Sequence, residues 1–188
     1  PEKSQVDDLA RAINDAESVT FMVGAGAAGA RDEVLELAAR IKAPVGHALG
    51  GKEIIEYDNP FDVGMSGLLG YGGLQKAMDD ADLFIMIGTD FPYSDFLPTA
   101  NVAQIDADAS HIGRRTTVTH PVHGDVGATI RAVLPLVTEK TDSSFLDKML
   151  RHHERELTKV VEAYTHGVED HTPIHPEFAA RVLDELAA

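Results

Sequence analysis

The sequence of 188 residues contains no cysteine and few cations. Without cysteine it can form no disulfide, thiolate nucleophile, iron–sulfur cluster or cysteine zinc site. Its 16 Lys+Arg stand against 31 Asp+Glu, which gives a formal net charge of −15. Because so acidic a surface repels phosphate backbones and anionic lipids, we expect no nucleic-acid partner.

Long apolar runs are also missing. The longest, such as Leu83–Ile87, are far shorter than the roughly 20 residues that a membrane span needs. The first residues are polar and acidic, so we expect no signal peptide and a cytoplasmic location. Hydrophobic residues make up 44% and charged residues 25%, a balance typical of a soluble globular domain.

A strand, a glycine turn and a helix follow one another near the start of the chain. Apolar spacing predicts a first helix over residues 4–16, and the run Val19–Val23 then ends at the glycine-rich segment 24–29. Helical spacing returns until the break at 43–44, so this stretch is typical of the opening of a βαβ unit. The remaining strands are predicted at 44–49, 83–87, 102–105 and 116–120, and the shorter helices at 74–80 and 126–136.

Two further segments have a distinct character. Residues 50–73 are glycine-rich and irregular, yet their apolar content indicates an ordered, functional loop. From Thr141 the pattern predicts a long charged helix to about Tyr164, a polar linker over 166–176, and the start of another helix.

The glycine turn carries the strongest local signal. Gly24, Gly26 and Gly29 fit G-x-G-x-x-G at a strand-to-helix junction, where glycines let the backbone approach a phosphate and the helix N-terminus supplies N–H donors. A tight turn that binds nothing fits the isolated motif equally well. No acid follows the second strand to bind the ribose of NAD, which weakens the interpretation as an ordinary NAD dehydrogenase.

Acidic turns follow three later strands, at Asp90, at Asp106 and Asp108, and at Asp125. Taken singly, each aspartate could be a helix N-cap or a turn former. Their recurrence favours a ligand crevice, because the carboxyl ends of parallel strands converge at one edge of a sheet. Most of the nine histidines are expected to be solvated, and we predict no metal site. His47 follows the second strand and could face the crevice.

Nine motifs occur in the same order in one enzyme family. They are Gly24-Ala-Gly26, Lys42-Ala-Pro-Val45, His47-Ala-Leu-Gly-Gly-Lys52, Tyr57-Asp-Asn-Pro60, Val63-Gly-Met-Ser-Gly67, Ala81-Asp82, Gly88-Thr-Asp-Phe-Pro-Tyr93, Gln104-Ile-Asp106 and Gly124-Asp125. On these motifs the chain closely resembles the central domain of thiamine-diphosphate-dependent pyruvate oxidases. The resemblance is nearest to the bacterial quinone-reducing pyruvate dehydrogenase, or pyruvate:quinone oxidoreductase.

The resemblance implies an α/β fold with a six-stranded parallel sheet and helices on both faces. Such a domain is Rossmann-like, of the DHS-like NAD/FAD-binding type, and binds FAD in an extended pose. Residues 1–140 would form this domain, 141–172 a charged helix and linker, and 173–188 the truncated start of a thiamine-diphosphate-binding domain. Thiamine diphosphate and Mg²⁺ would be held by flanking domains of the full enzyme.

The motifs also carry over a set of FAD contacts, with no catalytic or metal residue. In chain order these are Gly24, Ala25 and Gly26 at the nucleotide; His47, Ala48 and Leu49 at the flavin end; Gly64, Met65, Ser66 and Gly67 along the ribityl and phosphate portion; Thr89, Asp90 and Phe91 in the middle; Asp106 and Ala107 at the adenosine ribose; and Gly124 and Asp125 at the adenine.

One departure from the family pattern concerns the phosphates. Related flavin domains often place an arginine after the His47 motif or after the strand that ends before Gly88. Here those positions hold Gly50 and Thr89-Asp90. Phosphate binding is therefore expected to depend mainly on backbone amides.

The full enzyme implied by the resemblance decarboxylates pyruvate and passes electrons through FAD to a membrane quinone. It would be a homotetramer, peripheral on the inner face of the cell membrane. No Gly-Asp-Gly motif for a metal-bound diphosphate is present in this chain, so we expect no pyruvate turnover from it alone.

Two alternatives remain open from the sequence. A sirtuin-like NAD-dependent deacylase has a similar Gly-Ala-Gly turn, but it needs a catalytic histidine in an Asn-x-Asp context and usually a four-cysteine zinc site, and neither occurs here. A ligand-free structural domain of a thiamine-diphosphate enzyme is the other. A crevice filled by side chains would favour it.

Overall fold

The computed structural model describes residues 1–187. It divides into two compact units, Pro1–His153 and a smaller one that begins at Glu154. The first unit contains the sheet and the crevice described below. None of the helices within the described range is long and apolar enough to cross a membrane.

Six strands form one parallel sheet. They are β1 (Val19–Val23), β2 (Val45–His47), β3 (Asp62–Met65), β4 (Leu83–Ile87), β5 (Val102–Asp106) and β6 (His120–His123). Their order is β3-β2-β1-β4-β5-β6, with every neighbouring pair parallel. The direction of winding therefore reverses between β1 and β4, the position where open α/β sheets bind ligands.

Helices cover both faces of this sheet, which confirms the predicted fold. In the first unit these helices are α1 (Lys3–Asp15), α2 (Arg31–Ile41), α3 (Lys52–Ile55), α4 (Gly73–Asp80), α5 (Val126–Val133) and the first part of α6 (Ser144–Thr165). The second unit contains the rest of α6 and α7 (Pro176–Ala187). Phe21 and Ile85 pack with residues of α1, α2 and α5 in one buried cluster. Met22 and Met86 pack on the other face with α4 and with Met149 of α6. Successive strand residues alternate between the two clusters because side chains of a strand point to opposite faces.

Two strands lie where local pattern did not place them. β3 falls inside the segment predicted to be irregular. It contains Gly64 at φ +76°, and its register with β2 shifts between Val45 and His47. β6 begins at His120, where the prediction ended. The start of β6 is set by its pairing with β5, in which Val122 lies opposite Ile105. The β-branched residues before His120 favour a strand by propensity, but this pairing has the larger effect.

Candidate functional site: the crevice at the carboxyl edge

A crevice of about 450 Å³ lies at the carboxyl ends of β1, β2, β4 and β5. Most of its wall is apolar. The lining residues are Gly24, Ala25, Gly26, Ala48, Leu49, Gly50, Met65, Ser66, Leu68, Leu69, Gly88, Thr89, Asp90, Phe91, Pro92, Tyr93, Asp106 and His111. Connections from β1 and β4 leave in opposite directions at this point of the sheet, which opens the space between them.

Two glycine turns in direct contact form the floor of the crevice. A Cβ at Gly24 would lie 2.5 Å from the Cβ of Thr89, and one at Gly26 would lie 2.9 Å from the Cα of Gly88. The N–H of Gly26 donates to the carbonyl of Gly88 at 2.9 Å. These glycines are therefore required by the contact between the turns, whether or not a ligand binds above them.

Backbone donors are available beside this floor. Ala25 opens the short 3-10 turn Ala25–Ala27, so its N–H has no acceptor within that turn. The following helix α2 carries Asp32 and Glu33 in its first turn. Those carboxylates already complement the positive end of the helix dipole, so α2 adds little attraction for an anion.

Asp106 places one carboxylate at the far end of the crevice. It ends β5 and is buried. One oxygen, Oδ1, accepts the N–H of Asp108 at 2.8 Å, and Oδ2 lies 3.3 Å from Nδ1 of His111. These contacts fix the carboxyl group in a single orientation beside the lining.

A second carboxylate, Asp90, is held by two arginines from the connection between β5 and β6. Arg114 Nε lies 3.1 Å from Oδ1, and its Nη2 pairs with Oδ2. Arg115 makes longer contacts of 3.2 Å and 3.3 Å to the same two oxygens. Hydrogen bonds from Arg114 and then Arg115 lower the pKa of Asp90 below its ordinary value, against the opposing effect of burial.

His47 does not line the crevice. Its ring is buried, with Nε2 2.9 Å from Glu56 Oε2. Nearby, His153 Nε2 lies 3.7 Å from Asp62 Oδ2. Burial raises the pKa of Asp62 and lowers the pKa of His153. His47, Glu56, Asp62 and His153 are all outside the crevice lining.

Most of the predicted contacts do line the crevice. Those that do are Gly24, Ala25, Gly26, Ala48, Leu49, Met65, Ser66, Thr89, Asp90, Phe91 and Asp106. Those outside the lining are His47, Gly64, Gly67, Ala107, Gly124 and Asp125.

The outlying positions have other contacts in the chain. The Asp125 side chain caps α5 by accepting the N–H of Ala128 at 2.8 Å. Gly64 lies against the ring of His153, Gly67 lies behind Phe91 and Tyr93, and Gly124 lies beside Pro1. The carbonyl of Ala107 lies 3.1 Å from Nε2 of His123.

Sequence reasoning missed several lining residues. They are Gly50, Leu68, Leu69, Gly88, Pro92, Tyr93 and His111. Most of them fall inside segments that the motifs had already marked. The contacts that His111, Arg114 and Arg115 make with Asp90 and Asp106 were also missed. One sequence feature could have indicated them: a pair of arginines shortly after an acidic strand end, in a chain poor in cations.

No group of three or more metal-binding side chains occurs among residues 1–187. The polar atoms of the crevice are backbone amides, hydroxyls, two carboxylates and one imidazole. Such a set can orient a ligand by hydrogen bonds, while the apolar wall excludes water from a flat ring system.

Comparison with known proteins shows related sequences. An uncharacterized 42.6 kDa protein of Pseudomonas amyloderamosa is 46% identical over 82% of this chain and 39% of its own length. A Bacillus subtilis protein described as thiamine pyrophosphate-containing is 32% identical over 100% of this chain and 32% of its own length. An acetolactate synthase of Arthrospira platensis is 30% identical over 82% of this chain and 26% of its own length.

The fold also matches solved structures. The crystal structure of benzoylformate decarboxylase from Polynucleobacter necessarius superposes with a TM-score of 0.65 at 22% identity, over 77% of this chain and 28% of that one. The chain thus spans about a third of the length of the curated relatives it matches. Residues 6–133 match the family described as thiamine pyrophosphate enzyme, central domain. The chain therefore belongs to the thiamine pyrophosphate enzymes, and its sheet-bearing unit is their central domain.

Proposed function

We propose that this chain is the FAD-binding central domain of a pyruvate:quinone oxidoreductase. One observation carries the proposal: an apolar wall and a fixed carboxylate, Asp106, share a single crevice at the point where the sheet reverses. A flavin dinucleotide has matching parts, namely a flat apolar ring system at one end and ribose hydroxyls at the other. The order of the family motifs along the chain supports the same assignment.

The residues present fit such a ligand. Asp106 can accept hydrogen bonds from ribose hydroxyls, and the turn that begins at Ala25 can donate to a phosphate. Leu49, Leu68 and Tyr93 line the crevice and are exposed, so they can cover a flavin ring and exclude water. FAD would supply the electron transfer, while the protein supplies position and electrostatics.

The open crevice disfavours the ligand-free alternative. Side chains do not fill the space above the two glycine turns, which remains about 450 Å³. A domain that retained the fold without a ligand would be expected to close it, because exposed apolar surface is unfavourable. The cysteine-free sequence likewise offers no zinc site for a sirtuin-like deacylase.

The proposal extends to the whole enzyme. Pyruvate, water and a quinone would yield acetate, carbon dioxide and a quinol, with thiamine diphosphate and Mg²⁺ held by flanking domains of the same polypeptide. The full enzyme would be a cytoplasmic homotetramer that meets the quinone at the inner face of the cell membrane. The present chain would bind FAD without turning over pyruvate.

Titration of the purified chain with FAD tests the assignment. We expect saturable quenching of flavin fluorescence and flavin bands in the visible spectrum after unbound ligand is removed. NAD should not displace FAD. Preferential binding of NAD, or no flavin binding at all, would contradict the proposal.

The likeness to an acetolactate synthase favours a second candidate, a thiamine-diphosphate enzyme that forms a carbon–carbon bond between two substrate molecules. The two candidates differ in what the full-length enzyme makes from pyruvate. Acetate formed with reduction of an added quinone supports the oxidoreductase. Acetolactate formed without any quinone reduction supports the synthase.

A further inference from the structure

We propose that Arg114 and Arg115 bind the phosphates of a dinucleotide in the crevice. Without a ligand, both arginines pair with Asp90. The inference deepens the proposed function and rests on it, because it concerns the pyrophosphate of a bound dinucleotide. It adds side-chain cations to the sequence-based expectation that phosphate binding would depend mainly on backbone amides.

The charge of the crevice creates the need for such an element. Its acidic and imidazole side chains are Asp90, Asp106 and His111, and among the described residues no lysine or arginine lines it. A pyrophosphate would therefore meet two carboxylates, on a chain of net charge −15. The acidic first turn of α2, with Asp32 and Glu33, removes the usual attraction of a helix N-terminus for phosphate.

The two arginines are the cations positioned to offset these charges. Both donate to Asp90, which itself lines the crevice. Two guanidinium groups against one carboxylate leave one positive charge in excess. The hydrogen bond to Asp90, together with the charges of Asp90, Asp108 and Asp106, raises the pKa of Arg114.

Either arginine can leave Asp90 for a phosphate without leaving Asp90 unpaired. The side chain of Arg114 is 45% exposed and that of Arg115 is 34% exposed, and neither is held by burial. One arginine is sufficient to satisfy a carboxylate with two parallel hydrogen bonds. Arg115, with its longer contacts to Asp90, or Arg114, with its greater exposure, can therefore turn to a phosphate while the other keeps Asp90 neutralised.

Replacing both arginines, as Arg114→Gln/Arg115→Gln, tests the inference in the full chain. We expect the affinity for FAD to fall roughly tenfold to a hundredfold, the loss typical of charged hydrogen bonds. Binding of riboflavin, which has the ring system and no phosphate, should be unchanged. The salt dependence of FAD binding should also decrease, because screened charge pairs have been removed.

Two matched variants separate phosphate binding from a structural role. Arg11→Gln removes an equally charged, exposed side chain that pairs with Asp8 near the amino ends of the strands, and it should leave FAD affinity unchanged. Asp90→Asn frees both arginines and removes a negative charge, so FAD affinity should rise. A clamp that only stabilises the turns would instead weaken FAD binding in Asp90→Asn.

Each outcome decides between the possibilities. Unchanged FAD affinity in the double variant, or equal losses for FAD and riboflavin, overturns the role of the arginines and leaves the proposed function standing. If the wild-type chain binds no FAD, the proposed function fails, and titration with inorganic pyrophosphate then tests the arginines alone. If the double variant does not fold, Arg114→Gln is measured instead, because it leaves Arg115 on Asp90.

Discussion

The two edges of the sheet differ in how their polar groups are used. At the amino edge, a cavity of about 560 Å³ is lined largely by polar and charged residues, among them Asp8, Arg11, Asp82 and His120. At the carboxyl edge, the crevice is similar in size, about 450 Å³, and most of its wall is apolar. The two cavities are therefore similar in volume and differ in the polarity of their walls.

Polar groups around the cavity at the amino edge pair with one another. Oδ2 of Asp82 accepts the N–H of Glu17 at 3.1 Å and both the N–H and the hydroxyl of Ser18 at 2.9 Å. His120 Nδ1 lies 2.6 Å from Asp8, and Arg11 pairs with the same carboxyl group. These polar groups therefore stabilise the fold at the amino edge by hydrogen bonds to one another.

The carboxyl edge leaves apolar surface uncovered instead. Leu68 is 72% exposed and Leu69 is 62% exposed, and both line the crevice. Such a contiguous apolar surface beside a few oriented polar groups is typical of a ligand site. The comparison teaches that the sheet is stabilised at one edge and left available for binding at the other.

The largest expected effect comes from Gly88→Ala at the carboxyl edge. Gly88 has φ +60°, and its Cβ would lie 2.6 Å from the carbonyl carbon of Gly26. We expect a loss of about 3 kcal/mol in the free energy of unfolding, from left-handed strain and from separation of the two turns, together with loss of flavin binding. Urea denaturation and FAD titration measure the two effects.

Gly113→Ala is the matched control for that strain. Gly113 also has a positive φ of +76°, but open space surrounds its Cβ position. Its cost should be only about 1 kcal/mol, the cost of the backbone conformation, with FAD binding retained. Equal costs for the two variants would show that the contact between the turns contributes nothing.

Asp82→Ala tests the amino edge. It removes the acceptor for Glu17 and Ser18, which should cost about 1.5 kcal/mol of stability because these groups are partly open to water. FAD affinity should not change, since the residue lies at the opposite edge. A loss of FAD affinity in this variant, measured on folded protein, would break the division between the edges.

Leu69→Ser tests the carboxyl edge. Leu69 is mostly exposed, so stability should change by less than about 0.5 kcal/mol, whereas FAD affinity should fall about fivefold through lost apolar contact. Leu136→Ser, at an exposed leucine outside the crevice lining, is the control for affinity. Equal FAD affinity in both variants would mean that Leu69 does not touch the ligand.

The smallest expected effect is on the pH dependence of stability. It concerns two carboxylates, Asp80 and Asp90, each of which pairs with two cationic side chains. Hydrogen bonds from Lys76 and Lys148 lower the pKa of Asp80, just as Arg114 and Arg115 lower that of Asp90. A lowered folded-state pKa gives stability that is present above the unfolded value of about 3.9 and is lost as the pH falls through the folded value.

Asp80→Asn should therefore flatten the loss of stability below about pH 4, by under about 1 kcal/mol because the pairs are partly exposed to water. Its FAD affinity at neutral pH should match that of the wild type. Asp90→Asn should flatten the same acid limb and also bind FAD more tightly. Denaturation midpoints measured from pH 6 downward, with FAD titrations at pH 7, make this comparison, and an altered FAD affinity in Asp80→Asn would contradict it.

Much of the fold follows from local pattern. Val19–Val23 and Leu83–Ile87 are strands with the predicted bounds, because uninterrupted apolar runs mark strands that are covered on both faces. β3 could not be found in this way, since it has only four residues, including Asp62 and Gly64, and forms a strand through pairing with β2.

The site follows from sequence only in part. Strand ends identified Asp90 and Asp106, because parallel strands bring their carboxyl ends together. The same rule placed His47 toward the crevice, but its ring turns to Glu56 instead, a choice that depends on packing. Asp125 proved to be a helix cap, the alternative that its position also allowed.

Amide hydrogen exchange with and without FAD tests the central claim most directly. The account predicts slower exchange at residues 24–29, 65–69 and 89–91 when FAD is added, with no change at residues 15–18 and 82 at the amino edge. Protection confined to the amino edge, or no protection anywhere at a saturating FAD concentration, would contradict it.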